Sequence, residues 1–231
     1  MCGRYSFFAR RNDIVRSFAR LQLPDDYDAH TPPRYNIAPT QAILTISAAD
    51  PTHLTAMRWG LIPSWAKTIG APLINARIET IAEKPSFRSA FRSRHCLILS
   101  DGWYEWIAGE HGRRQPIRIE PADGRVVGLA GIWEIWTAPD GKELMTSAII
   151  TRQANGTLAT IHDRMPIVIE AARAERWLHA VSVEDSLTVL MEEPGLPLRA
   201  FPVGLAVNSA RNDGPQLRNP IPDAWCRETG T

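Results

Sequence analysis

Between residues 96 and 151 the sequence alternates short apolar runs with turn signals at Ser100-Asp101-Gly102, Ala122-Asp123-Gly124 and Pro139-Asp140-Gly141. Asp-Gly supplies the backbone freedom a tight reversal needs, so 96–99, 115–120, 126–136 and 144–151 are expected to be strands of an antiparallel sheet. Further strands are expected at 42–47, at 54–60 after an Asp50-Pro51 turn, at 167–169 and at 198–207, with a short extended piece at 72–76. Helical spacing of Ile14, Val15, Phe18 and Leu21 predicts a helix over 8–23. Shorter helices are expected to open at 78–82 and to cover 171–180, with Trp177 and Leu178 inward, and 183–190. Residues 34–41 lead into the strand at 42–47, and 60–66 read as an ordered loop that exposes or half-buries Trp65. The fold class is therefore α+β, mainly antiparallel β-sheet. One compact domain is expected over 1–231, with its core at about 2–215 and a tail at 216–231.

Composition narrows the setting. The 231 residues are 44% apolar and 22% charged, an ordinary globular balance. Cys2, Cys96 and Cys226 are odd in number and widely spaced, which offers neither a disulfide framework nor a metal knuckle. No apolar leader and no membrane-length run is present, so a cytoplasmic chain is expected, with no membrane partner. Neither a cofactor nor a metal is expected. A net charge of +1 excludes nothing, and a nucleic-acid partner has to be sought in local patches.

Met1-Cys2-Gly3-Arg4-Tyr5 opens the chain. Once Met1 is removed, Cys2 carries a thiol beside a free α-amine, a pair that no internal cysteine can offer. The amine condenses with an aldehyde, and the thiol closes a five-membered ring on the product. Both groups reach their nucleophilic forms close to neutrality, with ordinary pKa values of ~8.5 and ~8. The bland alternative is a small apolar residue at a chain end.

Glu105 stands inside Trp103-Tyr104-Glu105-Trp106. In an extended strand Trp103 and Glu105 share one face, and Tyr104 and Trp106 the other. A carboxylate held beside an indole is desolvated and suits general acid–base work. The alternative is a strand-edge glutamate facing water. His162 lies in a polar knot between apolar stretches, where it can exchange a proton near neutrality. Arginine follows two residues after Cys2, Asn75 and His162, at Arg4, Arg77 and Arg164. In extended backbone, residues i and i+2 lie on one face, about 6.5 Å apart, so each would bring a guanidinium beside its neighbour. Three such pairs favour an anionic, nucleotide-bearing substrate. The 84–95 stretch adds Lys84, Arg88, Arg92 and Arg94 without an acidic residue, with Phe87 and Phe91 at helical spacing. It reads either as a basic binding face or as a solvated helix anchored by two phenylalanines.

Taken together, several pieces resemble the SOS-response-associated peptidase (SRAP) family, whose members act on abasic sites in DNA. They are Met1-Cys2-Gly3-Arg4-Tyr5, the stretch from Tyr35 to Gln41, Trp59-Gly60-Leu61-Ile62-Pro63-Ser64-Trp65 and Asn75-Ala76-Arg77-Ile78-Glu79-Thr80. Gly102-Trp103-Tyr104-Glu105-Trp106, His162-Asp163-Arg164-Met165-Pro166, Val207-Asn208 and Arg211-Asn212-Asp213 complete the set in the family's order. The resemblance implies an exposed Cys2 that crosslinks to the aldehyde of an abasic deoxyribose as a thiazolidine and shields the lesion in single-stranded DNA. It implies Asn75, Glu105 and His162 as partners in the chemistry, and Arg4, Arg77 and Arg164 as holders of the DNA backbone. Trp65 and the loop from Asn36 to Pro39 would line the DNA channel. Peptidase activity ahead of the cysteine, and lyase or crosslink-reversal activity, also follow from it. So do a barrel-like core with peripheral helices, a monomer, and nucleoid association when DNA is bound.

Two other classes compete. N-terminal-nucleophile amidohydrolases also open Met-Cys-Gly, but their other glutamine-site motifs do not follow Gly3. A non-covalent single-strand-binding module would use the 84–94 basic stretch and would not need Cys2.

Overall fold

In the computed structural model, residues 2–108 and 114–221 and the backbone of 227–228 are described. Their elements run β1 (Tyr5–Phe7), α1 (Arg11–Ser17), α2 (Tyr27–His30), β2 (Arg34–Ile37), β3 (Ala42–Ser47), β4 (Asp50–Trp59), β5 (Asn75–Arg77), α3 (Arg88–Ser93), β6 (His95–Ser100) and β7 (Gly102–Ala108). Then follow β8 (Arg114–Pro121), β9 (Val127–Thr137), β10 (Glu143–Gln153), β11 (Arg164–Pro166), β12 (Val168–Ile169), α4 (Ala171–Leu178), α5 (Val183–Met191), β13 (Leu198–Pro202) and β14 (Arg227–Glu228).

Five strands close on themselves. β10 pairs with β9, β9 with β6, β6 with β3 and β3 with β4, all antiparallel. β4 then meets β10 in parallel, with Arg58 opposite Thr146 and Trp59 opposite Ser147. Closure removes exposed sheet edges, and buried Ile98, Leu129 and Ile149 share the face that fills the barrel interior. Gly131 permits that filling, because a Cβ there would lie 2.9 Å from Cys96 Sγ. Cys96 is thus a buried packing residue.

β9 and β10 part beyond Gly131 and Ile149, and the chain from 164 to 169 enters the gap, β11 against β10 and β12 against β9. β5 pairs with β10 in parallel, with Asn75 opposite Ile149 and Arg77 opposite Thr151. The end of β10 therefore carries Asn75 and Arg77 on β5 and Arg164 on β11.

A second sheet, ordered β14-β13-β8-β7-β1-β2, lies beside the barrel. The chain crosses into it at Gly102, where a Cβ would sit 2.6 Å from the Ile119 carbonyl oxygen, so the predicted Asp101-Gly102 reversal joins two sheets. Buried Arg118 fastens β1 to this sheet. Its guanidinium donates to Ser6 Oγ at 2.9 Å and Tyr104 Oη at 3.2 Å and pairs with Glu120. A buried charge with its donors engaged in this way is a fixed point of the structure. Beyond residue 215, Leu217 is buried and Pro220 bridges to Val203, so the chain there continues to pack on the second sheet.

The structure corrects several boundaries. The helix predicted over 8–23 is only α1, yet Phe18, Leu21 and Leu23 are all buried. Their spacing records burial along a wrapping chain, one that hydrogen-bonds Gln22 N to Thr52 O at 2.8 Å. Residues 78–82 form turns rather than a helix, and of 84–95 only Arg88–Ser93 is helical, anchored by buried Phe87 and Phe91. The strand predicted over 198–207 stops at Pro202 and gives way to a 3₁₀ turn, Leu205–Asn208. Asn36 lies in β2, not in a loop. Cys226 lies outside the described residues.

Candidate active site

Cys2 sits where the barrel meets the second sheet. Tyr5 pairs with Trp103, and Tyr104 N–H donates to the Arg4 carbonyl at 2.9 Å. Continuing that register sets the start of the chain alongside Glu105. From the barrel side, Asn75 Nδ2 donates to the Cys2 carbonyl at 2.9 Å. Cys2 is 0% exposed, which corrects the exposed cysteine implied by the family resemblance. Burial, and next the charge of Glu105, push its thiol well above the ordinary range, against the pull of the N-terminal ammonium and the Arg4 amide. The thiol is neutral in this state.

Glu105 faces inward, as the strand alternation requires. Trp103 belongs to the main core, whereas Tyr104 and Trp106 pack with Phe201, Val203, Val207 and Leu217 on the other side of β7. At 2% exposure Glu105 is not an edge residue facing water. Burial raises its pKa to about 7, with the N-terminal ammonium opposing and Asp163 adding to the rise.

His162 is partly buried, and burial, then the N-terminal ammonium, hold its pKa below the ordinary value. Its Nδ1 lies 3.0 Å from the Arg164 amide nitrogen and 2.7 Å from Asp163 Oδ1. The neutral ring accepts from the Arg164 amide, whereas a protonated ring donates to Asp163, so proton uptake exchanges one partner for the other.

The predicted pairing of arginines with their i−2 neighbours holds at one place of three. Asn75 and Arg77 flank buried Ala76 on β5, with Arg77 exposed. Arg4 does not share a face with Cys2. Its Nη1 donates to Asn36 Oδ1 and to the Val207 carbonyl, each at 2.8 Å, and its guanidinium lies 5.8 Å from the Trp106 ring centroid. The break falls at Gly3, where no regular strand has begun. His162 and Arg164 are joined by a turn rather than extended chain. Arg164 binds Glu79 through both oxygens, at 2.6 and 2.9 Å, and donates to the Thr151 carbonyl at 2.7 Å.

Asn36 is buried and donates to the carbonyls of Ser209 and Asn212 at 3.0 and 2.8 Å, so it secures the 207–212 segment. Pro39 is half-exposed in a tight turn whose Thr40 has φ 73°, a strained conformation for a β-branched residue. Trp65 is 65% exposed in the segment between bridge partners Leu61 and Leu73, which also presents Ile69. Glu79 is the residue that sequence reasoning passed over. Its place two residues after Arg77 was the available signal.

A small barrel protein whose buried Cys2 is held by the Asn75 amide beside the Glu105 carboxyl is what fold and site together define. The family model described as SOS response associated peptidase (SRAP) matches residues 1–210. The chain belongs to the SRAP family. It is 37% identical over 222 residues to the abasic site processing protein YoqW of Bacillus subtilis, covering 94% of this chain and 98% of that one. The abasic site processing proteins YedK of Escherichia coli and HMCES of mouse are 31% and 30% identical, covering 96% and 95% of this chain and 100% and 76% of theirs. A crystal structure of a protein from Bacteroides thetaiotaomicron shares the fold with a TM-score of 0.77 at 23% identity, covering 95% of this chain and all of that one. Among the described residues no helix is long and apolar enough to cross a membrane.

Proposed function

We propose that this protein processes abasic sites in single-stranded DNA by forming a covalent crosslink through Cys2. The observation that carries this reading is the 2.9 Å hydrogen bond from Asn75 Nδ2 to the Cys2 carbonyl, which holds the cysteine beside Glu105. The names of the relatives, each an abasic site processing protein, support the substrate.

Hydrolysis of the Met1–Cys2 peptide bond frees the α-amine. The amine adds to the aldehyde of the ring-opened deoxyribose and loses water as an imine. The thiol then adds to the imine carbon, its proton passing to nitrogen, and the ring closes as a thiazolidine. Glu105, titrating near neutrality, takes the amine proton and returns it to the departing hydroxyl. His162 delivers a proton to the sugar ring oxygen, which opens the aldehyde form. The same two groups run the steps backward in crosslink reversal, whereas lyase cleavage of the strand would take the C2′ proton from the imine and expel the 3′ phosphate. Arg77, exposed beside Asn75, draws the phosphate backbone toward the cysteine, and Trp65 offers a stacking surface to an unpaired base. The protein would act as a monomer on DNA in the cell's interior.

The test mixes purified protein with a single-stranded oligonucleotide bearing a uracil-derived abasic site and resolves the products under denaturing conditions. A covalent complex is expected from the wild type. Cys2→Ala, or a residue ahead of Cys2 that cannot be trimmed, abolishes it. Failure of the wild type to form any such complex overturns the proposal.

A further inference from the structure

Behind the His162 segment lies a cavity of about 370 Å³ that the chemistry above does not use. Leu158, Met165, Leu196 and Leu198 contribute apolar wall, and Arg152 and Asn155 contribute donors. Arg152 is 8% exposed, its Nη2 donates to Glu193 Oε2 at 2.6 Å, and its buried Nε has no hydrogen-bond partner among the described residues. Asn155 Nδ2 donates to the same oxygen at 3.0 Å. Glu193 itself is 64% exposed on the rim.

We propose that this cavity binds a small organic anion, a carboxylate or phosphate head on an apolar body, with the head on Arg152 and Asn155 where the Glu193 carboxylate now rests. A cavity of this size with a few convergent polar groups on apolar walls has the make-up of a small-molecule site. A guanidinium kept from water needs an anionic partner, and the partner it has is a rim side chain that is largely in solvent. Glu193 therefore stands in for the ligand's head, and the apolar space beside it is left for the ligand's body. The walls Asn155, Gly156 and Leu158 belong to the segment that leads into His162, whose amide donates to the Leu158 carbonyl at 3.1 Å, so an occupant would brace that segment.

Ligand-observed NMR on the full chain without DNA tests this, using hexanoate for the carboxylate head and thymidine 5′-monophosphate for the phosphate head. At least one probe is expected to bind. Glu193→Gln, which removes the competing carboxylate from an exposed pair, should tighten binding about threefold. Asn155→Asp, at an exposed position that does not endanger folding, should weaken binding at least about tenfold by placing like charge on the head. Binding of one probe alone identifies the head group. Absence of binding by both probes to wild type and to Glu193→Gln, or binding indifferent to Asn155→Asp, overturns the proposal. Because no DNA is present, either result is independent of crosslinking.

Discussion

Glu79 closes a bidentate ion pair on Arg164, with oxygen–nitrogen distances of 2.6 and 2.9 Å, and thereby ties the turn after β5 to the start of β11. These are the two strands that carry Asn75 and follow His162 on either side of β10. An arginine that reads from sequence as a phosphate clamp is, in the folded chain, also a fastening across the candidate site. Glu79→Gln should lower unfolding free energy by about 1–2 kcal/mol in urea titrations, since a well-buried guanidinium loses its ionic acceptor. The same pair sets a pH dependence. Hydrogen bonding from Arg164 holds the Glu79 carboxyl below its ordinary range. Its contribution is therefore fully present above the unfolded value, ~4.3, and is lost as pH falls through the lower folded value. Stability that falls equally below that pH in wild type and Glu79→Gln would discount the pair.

Glu105 has the opposite sign. Its folded pKa, about 7, lies above the unfolded one, so between these values the native state holds a proton that the unfolded state has released. Stability should fall as pH rises from ~4.3 through 7, by about 4 kcal/mol at most for this group. Glu105→Gln is expected to flatten that decline and to be the more stable form above pH 7, measured by urea unfolding at several pH values. In crosslinking assays the same variant should lose the inflection near neutrality along with most of its rate.

Both described cysteines are fully buried. Alkylation by iodoacetamide, followed peptide by peptide in a mass spectrometer, should be roughly a hundredfold slower at Cys2 and Cys96 in the native chain than in urea. Glu105→Gln should speed modification of Cys2 alone, because the Glu105 charge helps to raise that thiol while Cys96 is raised by burial only. Equal acceleration at Cys96 would show general loosening instead.

DNA affinity should divide between charge and stacking. Arg77→Ala is expected to reduce the slope of log affinity against log salt by about 1. Trp65→Ala should cost ~1–3 kcal/mol of binding to unpaired strands and leave the salt slope unchanged. Stability should move by less than about 0.5 kcal/mol in the second case, as the ring is largely in solvent. Full affinity in Trp65→Ala would remove that residue from the DNA path.

Local pattern was enough to place β6, β8, β9 and β10, because apolar alternation and Asp-Gly turns are properties of neighbouring residues. It also set Trp103 and Glu105 on one face of β7, since a strand's period of two needs no tertiary information. The ordered set of motifs identified the family. What the sequence could not supply was the meeting of distant segments: closure of the barrel by β4 on β10, the entry of 164–169 between β9 and β10, and the Asn75–Cys2 hydrogen bond across 73 residues. Nor did it separate a helical period from buried positions on an irregular chain, as at 8–23, because both place apolar residues three and four apart. Whether Cys2 is exposed, whether Arg4 faces it and what Arg164 binds were likewise settled by folding. Burial and charge pairing depend on which segments pack together, and only the tertiary structure brings Glu79 to Arg164 or Asn36 to Arg4.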